Sequence, residues 1–430
     1  MPGLISSDGT VLWGKKKHTS AILIRGARQL LTLRGPQGAR RGGALRELGI
    51  IPDGAILIHN GVIQEVGPTR RVENLAVARH AVEINAAGRL VMPGFVDSHT
   101  HLAFPLHNPA GEGGPGTART VSSATSARLA IRARAQVEAM ARHGTTTVEV
   151  KTGCGPDENA ESKLLRVLHR LKNDPIDLIP TFLFHLPGEG LGGAHDAAAE
   201  WVFQELLPKI RRGHLARFAD LVWNANPTWH GRFSRYLQAA RQLGFGCKIH
   251  AEQMTTAESV RMAVEHLVVS IDHLEHATAE DAALLAEGST IATLLPATSF
   301  HRGVEFAPAR ELIDAGAAVA LGTNFNARHT PALSMQAVVA LACRHMRMKP
   351  EEAISAATIN GAHALGRARS VGSLDVGKSA DLLVLSVPDY RDMVCHFGSN
   401  LVHLTMKRGE IIYEEGEVAH LPVEQLRLCW

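Results

Sequence analysis

The chain has 430 residues, which is long enough for one large domain with a smaller one beside it. Hydrophobic residues make up 45% and charged residues 20%, a globular composition with enough apolar side chains for a large core. Lys and Arg number 45 against 42 Asp and Glu, and this near balance argues against a nucleic-acid-binding or membrane-surface protein.

The cysteines and the apolar runs indicate where the protein works. Five cysteines are scattered without a C-x-x-C pair, which argues against a disulfide scaffold or a thiolate zinc site. Every apolar run is shorter than the ~20 residues that span a bilayer, and the N-terminus lacks the apolar core of a secretion signal. We therefore expect a cytoplasmic enzyme that binds neither nucleic acid nor membrane.

The two ends of the chain share one pattern. Residues 1–20 are polar and aperiodic, and we expect a flexible arm there. Short strands are predicted at 21–24, 54–59 and 62–66, and again at 381–386, 401–407 and 410–413. Asn60-Gly61 and Arg408-Gly409 are predicted as tight turns. We interpret 21–92 and 370–418 as one small β-domain, with 93–369 inserted and 419–430 as a tail.

The inserted segment alternates buried runs with helical patterns. The runs lie at 90–96, 145–150, 177–184, 219–223, 245–249, 268–271, 290–295 and 317–321. Eight buried runs that alternate with helices over about 250 residues are typical of parallel strands in a (β/α)₈ TIM-like barrel, an α/β fold. The active site of such a barrel lies at the carboxyl ends of its strands.

Histidines follow three of these runs. His99 and His101 stand at i and i+2 after the first run, so their side chains point the same way on an extended strand. His250 and His273 follow the fifth and sixth runs, and Asn324 follows the eighth. Imidazoles that converge from separate strands predict a metal site at the mouth of the barrel.

Several motifs give the chain a family resemblance. Residues 93–101 and 372–382 resemble the signature of the amidohydrolase superfamily. More narrowly, the chain resembles the imidazolonepropionase family, whose members open an imidazolone ring during histidine degradation. The matching segments run in order over residues 146–151, 180–183, 248–251, 272–275, 294–296, 325–326, 356–360 and 396–400.

The resemblance implies a fold and a reaction. It implies a metal-dependent barrel with a small β-sandwich built from both chain ends, a homodimer, and hydrolysis of 4-imidazolone-5-propanoate to N-formimidoyl-L-glutamate. The substrate is then a small cyclic amide. One Zn²⁺ or Fe²⁺ ion would be held by His99, His101, His250 and the residue at Asn324. His273 would polarise the substrate carbonyl or help to hold the water, and His185 would contact the substrate.

The departures from the family fall on residues that carry chemistry. Asn324 stands where the family has an aspartate, and Gln253 stands where it has a glutamate. An amide keeps the shape of a carboxylate and offers an oxygen, but it accepts no proton at neutral pH. His273, Asn324 and Gln253 are therefore the candidate catalytic residues, with Glu252 and His329 as weaker candidates for a replacement base.

The substrate contacts are altered as well. Cys154 replaces a family tyrosine, and the arginine that would bind the substrate carboxylate has no clear counterpart. The candidate substrate contacts are His185, Cys154, Gln253, Asn326 and Arg328, the last being either a replacement clamp or a solvent-facing arginine. Two alternatives stay open: a related hydrolase of another cyclic amide or imide, and a catalytically impaired homologue that binds metal or ligand.

Overall fold

The structure is a computed structural model that describes residues 21–102, 115–153, 157–185, 199–251, 257–326 and 330–416. Its strands form two sheets of eight strands each. The strands are β1 (Ile22–Leu31), β2 (Ile50–His59), β3 (Val62–Pro68), β4 (Val82–Asn85), β5 (Leu90–Pro93), β6 (Phe95–Asp97), β7 (Thr145–Lys151), β8 (Asp177–Phe184), β9 (Phe218–Val222), β10 (Gly246–His250), β11 (Ser270–Asp272), β12 (Ile291–Leu294), β13 (Ala318–Leu321), β14 (Leu382–Leu385), β15 (Val402–Lys407) and β16 (Glu410–Glu414).

The strands β6 to β13 confirm the predicted barrel. Each pairs in parallel with the next along the chain, as β7 does with β8 and β12 with β13. The segments that follow β6 and β13 are bridged at Thr100 and Phe325, which brings the first and last strands together. The carboxyl ends of all eight strands thus surround one mouth.

The first predicted run was wrong in one respect. Residues 90–96 do not form a single barrel strand: Leu90–Pro93 pairs with β1 and β14 in the other sheet, and the barrel strand is Phe95–Asp97. Gly94 separates the two, and a Cβ there would lie 2.3 Å from Cγ2 of Thr146. The chain thus changes sheets at a glycine, whose missing side chain allows this close approach to β7.

Helices alternate with the barrel strands. The α-helices are Thr69–Val72, Pro115–Ser123, Ser126–Arg142, Glu158–Leu171, Leu207–Arg212, His230–Gln242, Ala257–Glu265, Ala279–Glu287, Pro296–Arg302, Ala309–Ala315, Met335–His345, Pro350–Ser355, Gly361–Ala364 and Asp392–Cys395. Short 3₁₀ turns lie at Gly42–Arg46, Ala78–His80 and Pro227–Trp229, and π-helical turns at Val202–Leu206 and Ala356–Asn360. Among the described helices, none combines the length and the apolar character that a membrane span requires.

Strands from both ends of the chain build the second sheet, as predicted. Its order is β16-β15-β14-β5-β1-β2-β3, with β4 beside β1. Ile24, Ile56, Val91, Leu382 and Met406 share one apolar core, so early and late strands stabilise each other. This arrangement confirms the expected β-sandwich.

The two predicted turns of this domain are also confirmed. Asn60 and Gly61 have φ values of 53° and 75°, and Arg408 and Gly409 have 51° and 76°, the double positive φ of a tight hairpin. A Cβ on Gly61 would lie 2.5 Å from the carbonyl oxygen of Arg408, so the two turns also pack against each other.

Candidate active site

Two extended segments meet at the mouth of the barrel. The backbone N–H of His101 donates to the carbonyl of Phe325 at 2.8 Å, and that of Asn324 donates to the carbonyl of His99 at 2.9 Å. Gly322 allows this approach, because a Cβ there would lie 3.0 Å from both Cβ and N of His99. The backbone thus fixes both histidines and Asn324 relative to each other.

Four histidines converge at this point, as their positions after the strands predict. The Nε2 atoms of His99 and His101 lie 3.3 Å apart. Ring nitrogens of His99, His250 and His273 all lie within 4.8 Å of one another, and all three residues are buried. The structure therefore brings the four rings together, while their individual roles remain predictions.

A buried carboxylate holds His99. Nδ1 of His99 lies 2.8 Å from Oδ2 of Asp272, and both side chains are fully buried. The same Asp272 oxygen contacts Nζ of Lys151, which also contacts Asp220. Asp272 therefore joins a ligand candidate to an ion-pair network beneath it.

The network continues across the inside of the barrel. Nζ of Lys248 lies 2.8 Å from Glu149, whose other oxygen is 3.8 Å from Nζ of Lys151. Three carboxylates (with Asp220 and Asp272) and two ammonium groups give this network a formal charge of −1. Burial raises the pKa of Glu149, but Asp272 keeps its charge directly behind His99, and this negative charge favours a cation at the histidines.

The electrostatics set the protonation states. Burial holds the pKa of His99 well below its ordinary value, and the nearby Lys151 ammonium acts in the same direction. Burial alone would raise the pKa of Asp272, but Lys151 and His99 hold it well below its usual range. A neutral imidazole backed by an ionised carboxylate is the form in which histidine binds metal.

His273 has a carboxylate partner of its own. Its Nδ1 lies 3.0 Å from Oε1 of Glu275, and both side chains are buried. The backbone reaches this pairing through two positive φ values, 83° at His273 and 67° at Leu274. Such conformations cost free energy in residues other than glycine and cluster at functional sites.

Asn324 is buried beside these rings. Its φ of 49° lies in the left-handed region, which asparagine tolerates. Nδ2 donates to Oγ1 of Thr298 at 2.9 Å, and Oδ1 has no hydrogen-bond partner within the part of the chain that the structure describes. The side-chain amide of Asn324 thus offers a buried oxygen that could bind a metal ion or accept a hydrogen bond.

Of the other predicted site residues, the structure describes His185 and Asn326. His185 directly follows β8 and is partly exposed, and Asn326 is buried, with backbone hydrogen bonds to Thr330. Three further candidates lie outside the described residues: Cys154, Gln253 and Arg328. The same holds for the two weaker base candidates, Glu252 and His329.

A cleft of about 510 Å³ opens beside His273. Its lining includes Glu275, Thr298 and Arg302. Arg302 ends the helix Pro296–Arg302, which begins directly after β12, so this strand end supplies a cation to the cleft.

Sequence reasoning missed Asp272, Glu275, Thr298 and Arg302 as site residues. A signal existed for Asp272 and Glu275, since both belong to the motif at 272–275 that also contains His273. Lys151 has a structural role, since its ammonium makes buried ion pairs with Asp220 and Asp272. No sequence pattern pointed to Thr298 or Arg302.

The donor set fits a divalent metal ion. Two ligand nitrogens at ~2.05 Å from an ion with tetrahedral angles lie about 3.3 Å apart. The Nε2 atoms of His99 and His101 have that separation, 3.3 Å. Imidazole nitrogens with carboxylates behind them suit Zn²⁺ and Fe²⁺ equally well.

Known proteins resemble this chain in both sequence and fold. Residues 224–412 match the model of the Amidohydrolase family. An imidazolonepropionase of Parabacteroides distasonis is 38% identical over 413 residues, covering 92% of this chain and 99% of the relative. An imidazolonepropionase of Symbiobacterium thermophilum is 37% identical, covering 92% of this chain and 98% of the relative.

Solved structures agree on the fold. An adenosine deaminase of Xanthomonas campestris with bound zinc superposes with a TM-score of 0.69 at 19% identity, covering 95% of this chain and 96% of the other. An atrazine chlorohydrolase of Arthrobacter aurescens complexed with zinc gives 0.74 at 19% identity, covering 95% and 98%. At these identities the likeness concerns the fold alone, whereas the sequence relatives decide the family. The chain belongs to the imidazolonepropionase family within the amidohydrolases.

Proposed function

We propose that this chain hydrolyses the ring C–N bond of a cyclic amide and that its substrate is 4-imidazolone-5-propanoate. The product would be N-formimidoyl-L-glutamate, as the family resemblance implies. The observation that carries the proposal is the pair of Nε2 atoms of His99 and His101, 3.3 Å apart, with Nδ1 of His99 held by Asp272. A third imidazole, His250 from β10, lies beside this pair, with its ring centroid 5.0 Å from that of His99 and 5.7 Å from that of His101.

His99, His101 and His250 would hold one divalent ion, either Zn²⁺ or Fe²⁺. When bound, such an ion supplies Lewis acidity, which lowers the pKa of water toward ~7 and polarises a carbonyl. The chain's own contribution is to keep the rings neutral and oriented. Asp272 does so for His99, since a carboxylate that accepts a hydrogen bond from Nδ1–H leaves the lone pair on Nε2 for the metal.

Asn324 would orient the attacking water. Its amide is fixed by Thr298, which leaves Oδ1 to accept a hydrogen bond from an O–H group at the site. The amide oxygen can hold a water in place but cannot take its proton at neutral pH. We therefore infer that Asn324 positions the nucleophile and that proton removal is the step this chain performs slowly.

Arg302 would bind the anionic tail of the substrate. It lines the same cleft as His273, and a guanidinium is the group best suited to a carboxylate. This assignment gives Arg302 the role that sequence reasoning offered to Arg328.

The test is product identification with the purified, metal-loaded protein. We expect loss of the ultraviolet absorbance of freshly generated 4-imidazolone-5-propanoate, with N-formimidoylglutamate detected by mass spectrometry. Turnover of another cyclic amide or imide, without turnover of the imidazolone, would favour the related hydrolase with a different substrate. Metal binding without turnover of any cyclic amide would favour the catalytically impaired homologue.

A further inference from the structure

We propose that His273 is the fourth metal ligand of this chain, in the position that a strand-eight carboxylate would otherwise fill, and that Glu275 is its positioning residue. The inference rests on the proposed function, because it concerns the same metal. It goes further in assigning His273 to the ion and no longer to the substrate carbonyl.

The geometry places His273 among the ligand candidates. Its ring centroid lies 4.8 Å from that of His250 and 5.7 Å from that of His99. Two nitrogens bound to one ion at 2.0–2.1 Å are at most ~4.2 Å apart. At tetrahedral angles that separation is about 3.3 Å, so the ring nitrogens of the three residues, which lie within 4.8 Å of one another, need to close by at most about 1.5 Å.

Glu275 determines which nitrogen His273 presents. Oε1 of Glu275 lies 3.0 Å from Nδ1, so in the neutral ring Nδ1–H donates to the carboxylate and Nε2 keeps its lone pair. Polarising a carbonyl would require a proton on Nε2, whereas binding a metal requires the lone pair. The observed pairing thus favours the ligand role over the role of hydrogen-bond donor.

The same arrangement occurs at His99. There Oδ2 of Asp272 lies 2.8 Å from Nδ1, and both partners are buried. A carboxylate on the far ring nitrogen is the usual setting of a metal-binding histidine, because it fixes the ring and raises its basicity. Within the described residues, His99 and His273 each have such a carboxylate, and both carboxylates lie at the end of β11.

Asn324 explains why a fourth imidazole is needed. Its neutral amide is a weaker ligand than a carboxylate, and its Nδ2 is committed to Thr298. Because Asn324 carries no charge, the carboxylate of Glu275, which contacts Nδ1 of His273, would supply the negative charge next to the histidines. The two positive φ values at 273 and 274 are then the conformational cost of bringing that pair to the site.

The experiment measures Co²⁺ binding to the full chain. The visible spectrum of bound Co²⁺ reports the number and type of ligands, and competition with a chromophoric chelator gives the affinity. We expect His273→Ala and His273→Gln to change the spectrum and to weaken affinity more than Asn324→Ala does. Glu275→Ala should weaken affinity about 10–100-fold, while Glu275→Gln, whose amide oxygen can still accept a hydrogen bond from Nδ1–H, should lose less.

Matched controls separate ligand loss from misfolding. His169→Ala removes an exposed histidine on the helix Glu158–Leu171 and should leave spectrum and affinity unchanged. Thermal unfolding of each metal-free variant shows whether it folds, and the larger glutamine at 273 fills the site if alanine does not fold. Wild-type spectrum and affinity in both His273 variants would overturn the inference and leave the proposed function standing. A wild-type chain that binds no metal would overturn both.

Discussion

Asn324 donates its side-chain amide to Oγ1 of Thr298 at 2.9 Å, while Oδ1 has no hydrogen-bond partner among the described residues. A hydroxyl oxygen can accept from Nδ2, so Oδ1 is the atom that faces away from Thr298. The chain therefore keeps an oxygen where its family has a carboxylate but gives up the charge and the ability to take a proton.

Restoring the carboxylate should raise activity. Asn324→Asp keeps the shape of the side chain, and the Thr298 hydroxyl can reverse its role and donate to the new oxygen. We expect kcat on 4-imidazolone-5-propanoate to rise by about 10²–10⁴-fold, the usual contribution of a positioned general base. The initial rate at saturating substrate measures this.

The control is Asn74→Asp, which makes the same chemical change at an exposed position of the small domain. It should leave kcat unchanged. If the Asn324→Asp variant holds its metal and is no faster than the wild type, the missing carboxylate does not limit this chain.

Much of the fold follows from sequence because burial and periodicity specify it locally. Eight buried runs predict the barrel, and the convergence of His99, His250 and His273 follows once the carboxyl ends of the strands meet. The break at Gly94 was missed because a glycine inside an apolar run does not reveal a change of sheet.

The partners of the histidines could not be predicted in the same way. The pairing of Glu275 with His273 depends on two left-handed residues, and apolar patterning carries no information about φ. The contact of Lys151 with Asp220 and Asp272 joins three separate strands, so it depends on the register of the closed barrel. Arg302 reaches the cleft through a helix whose direction only the packed structure defines.

Removing the carboxylate behind His99 should weaken metal binding. We expect Asp272→Asn to lower affinity about 10–100-fold, because the ring loses the group that orients it. The change should also lower the free energy of unfolding by about 3–5 kcal/mol, since the fully buried Lys151 loses a partner. Asp220→Asn is the matched control: it also takes a close carboxylate from Lys151 but leaves the Asp272–His99 contact. Equal losses of metal affinity in both variants would show that stability alone is responsible.

Arg302 should govern recognition of the substrate carboxylate. Arg302→Ala is expected to raise KM about 10-fold or more with little change in kcat, since it removes binding common to substrate and transition state. Arg302→Lys should recover only part of the loss, because an ammonium lacks the bidentate geometry. Arg344→Ala, at an exposed arginine in the last turn of the helix Met335–His345, is the control. An unchanged KM in Arg302→Ala would assign the substrate tail to another group.

The junction of the two sheets should be sensitive to acid. Asp177 at the start of β8 contacts Lys407 at 2.8 Å and also pairs with Arg408 and Arg367. Burial would raise the pKa of Asp177, but these three cations hold it below its ordinary value. Because the pKa of Asp177 is lower in the folded than in the unfolded chain, its carboxylate stabilises the folded protein fully at pH values above the unfolded pKa of about 3.9. This stabilisation is lost as the pH falls through the folded pKa.

The check is urea unfolding of Asp177→Asn across pH. At pH 7 we expect a loss of about 3–5 kcal/mol, because three cations lose a buried partner. The difference from the wild type should shrink below about pH 3.9 as Asp177 itself becomes protonated. Asp314→Asn, on an exposed partner of Arg310, should change little at any pH. A difference that stays constant down to low pH would show that the charge of Asp177 is not responsible.

We infer that a divalent metal on the strand-end histidines enables this chain to hydrolyse a cyclic amide. The most direct measurement is the turnover of 4-imidazolone-5-propanoate, with metal content determined on the same sample, before and after chelation and after metal is restored. We predict one equivalent of Zn²⁺ or Fe²⁺ per chain, turnover that disappears with the metal and returns with it, and a higher rate in Asn324→Asp. Turnover that survives complete removal of the metal would contradict this inference. So would a lack of turnover in both the metal-loaded wild type and the metal-loaded Asn324→Asp variant.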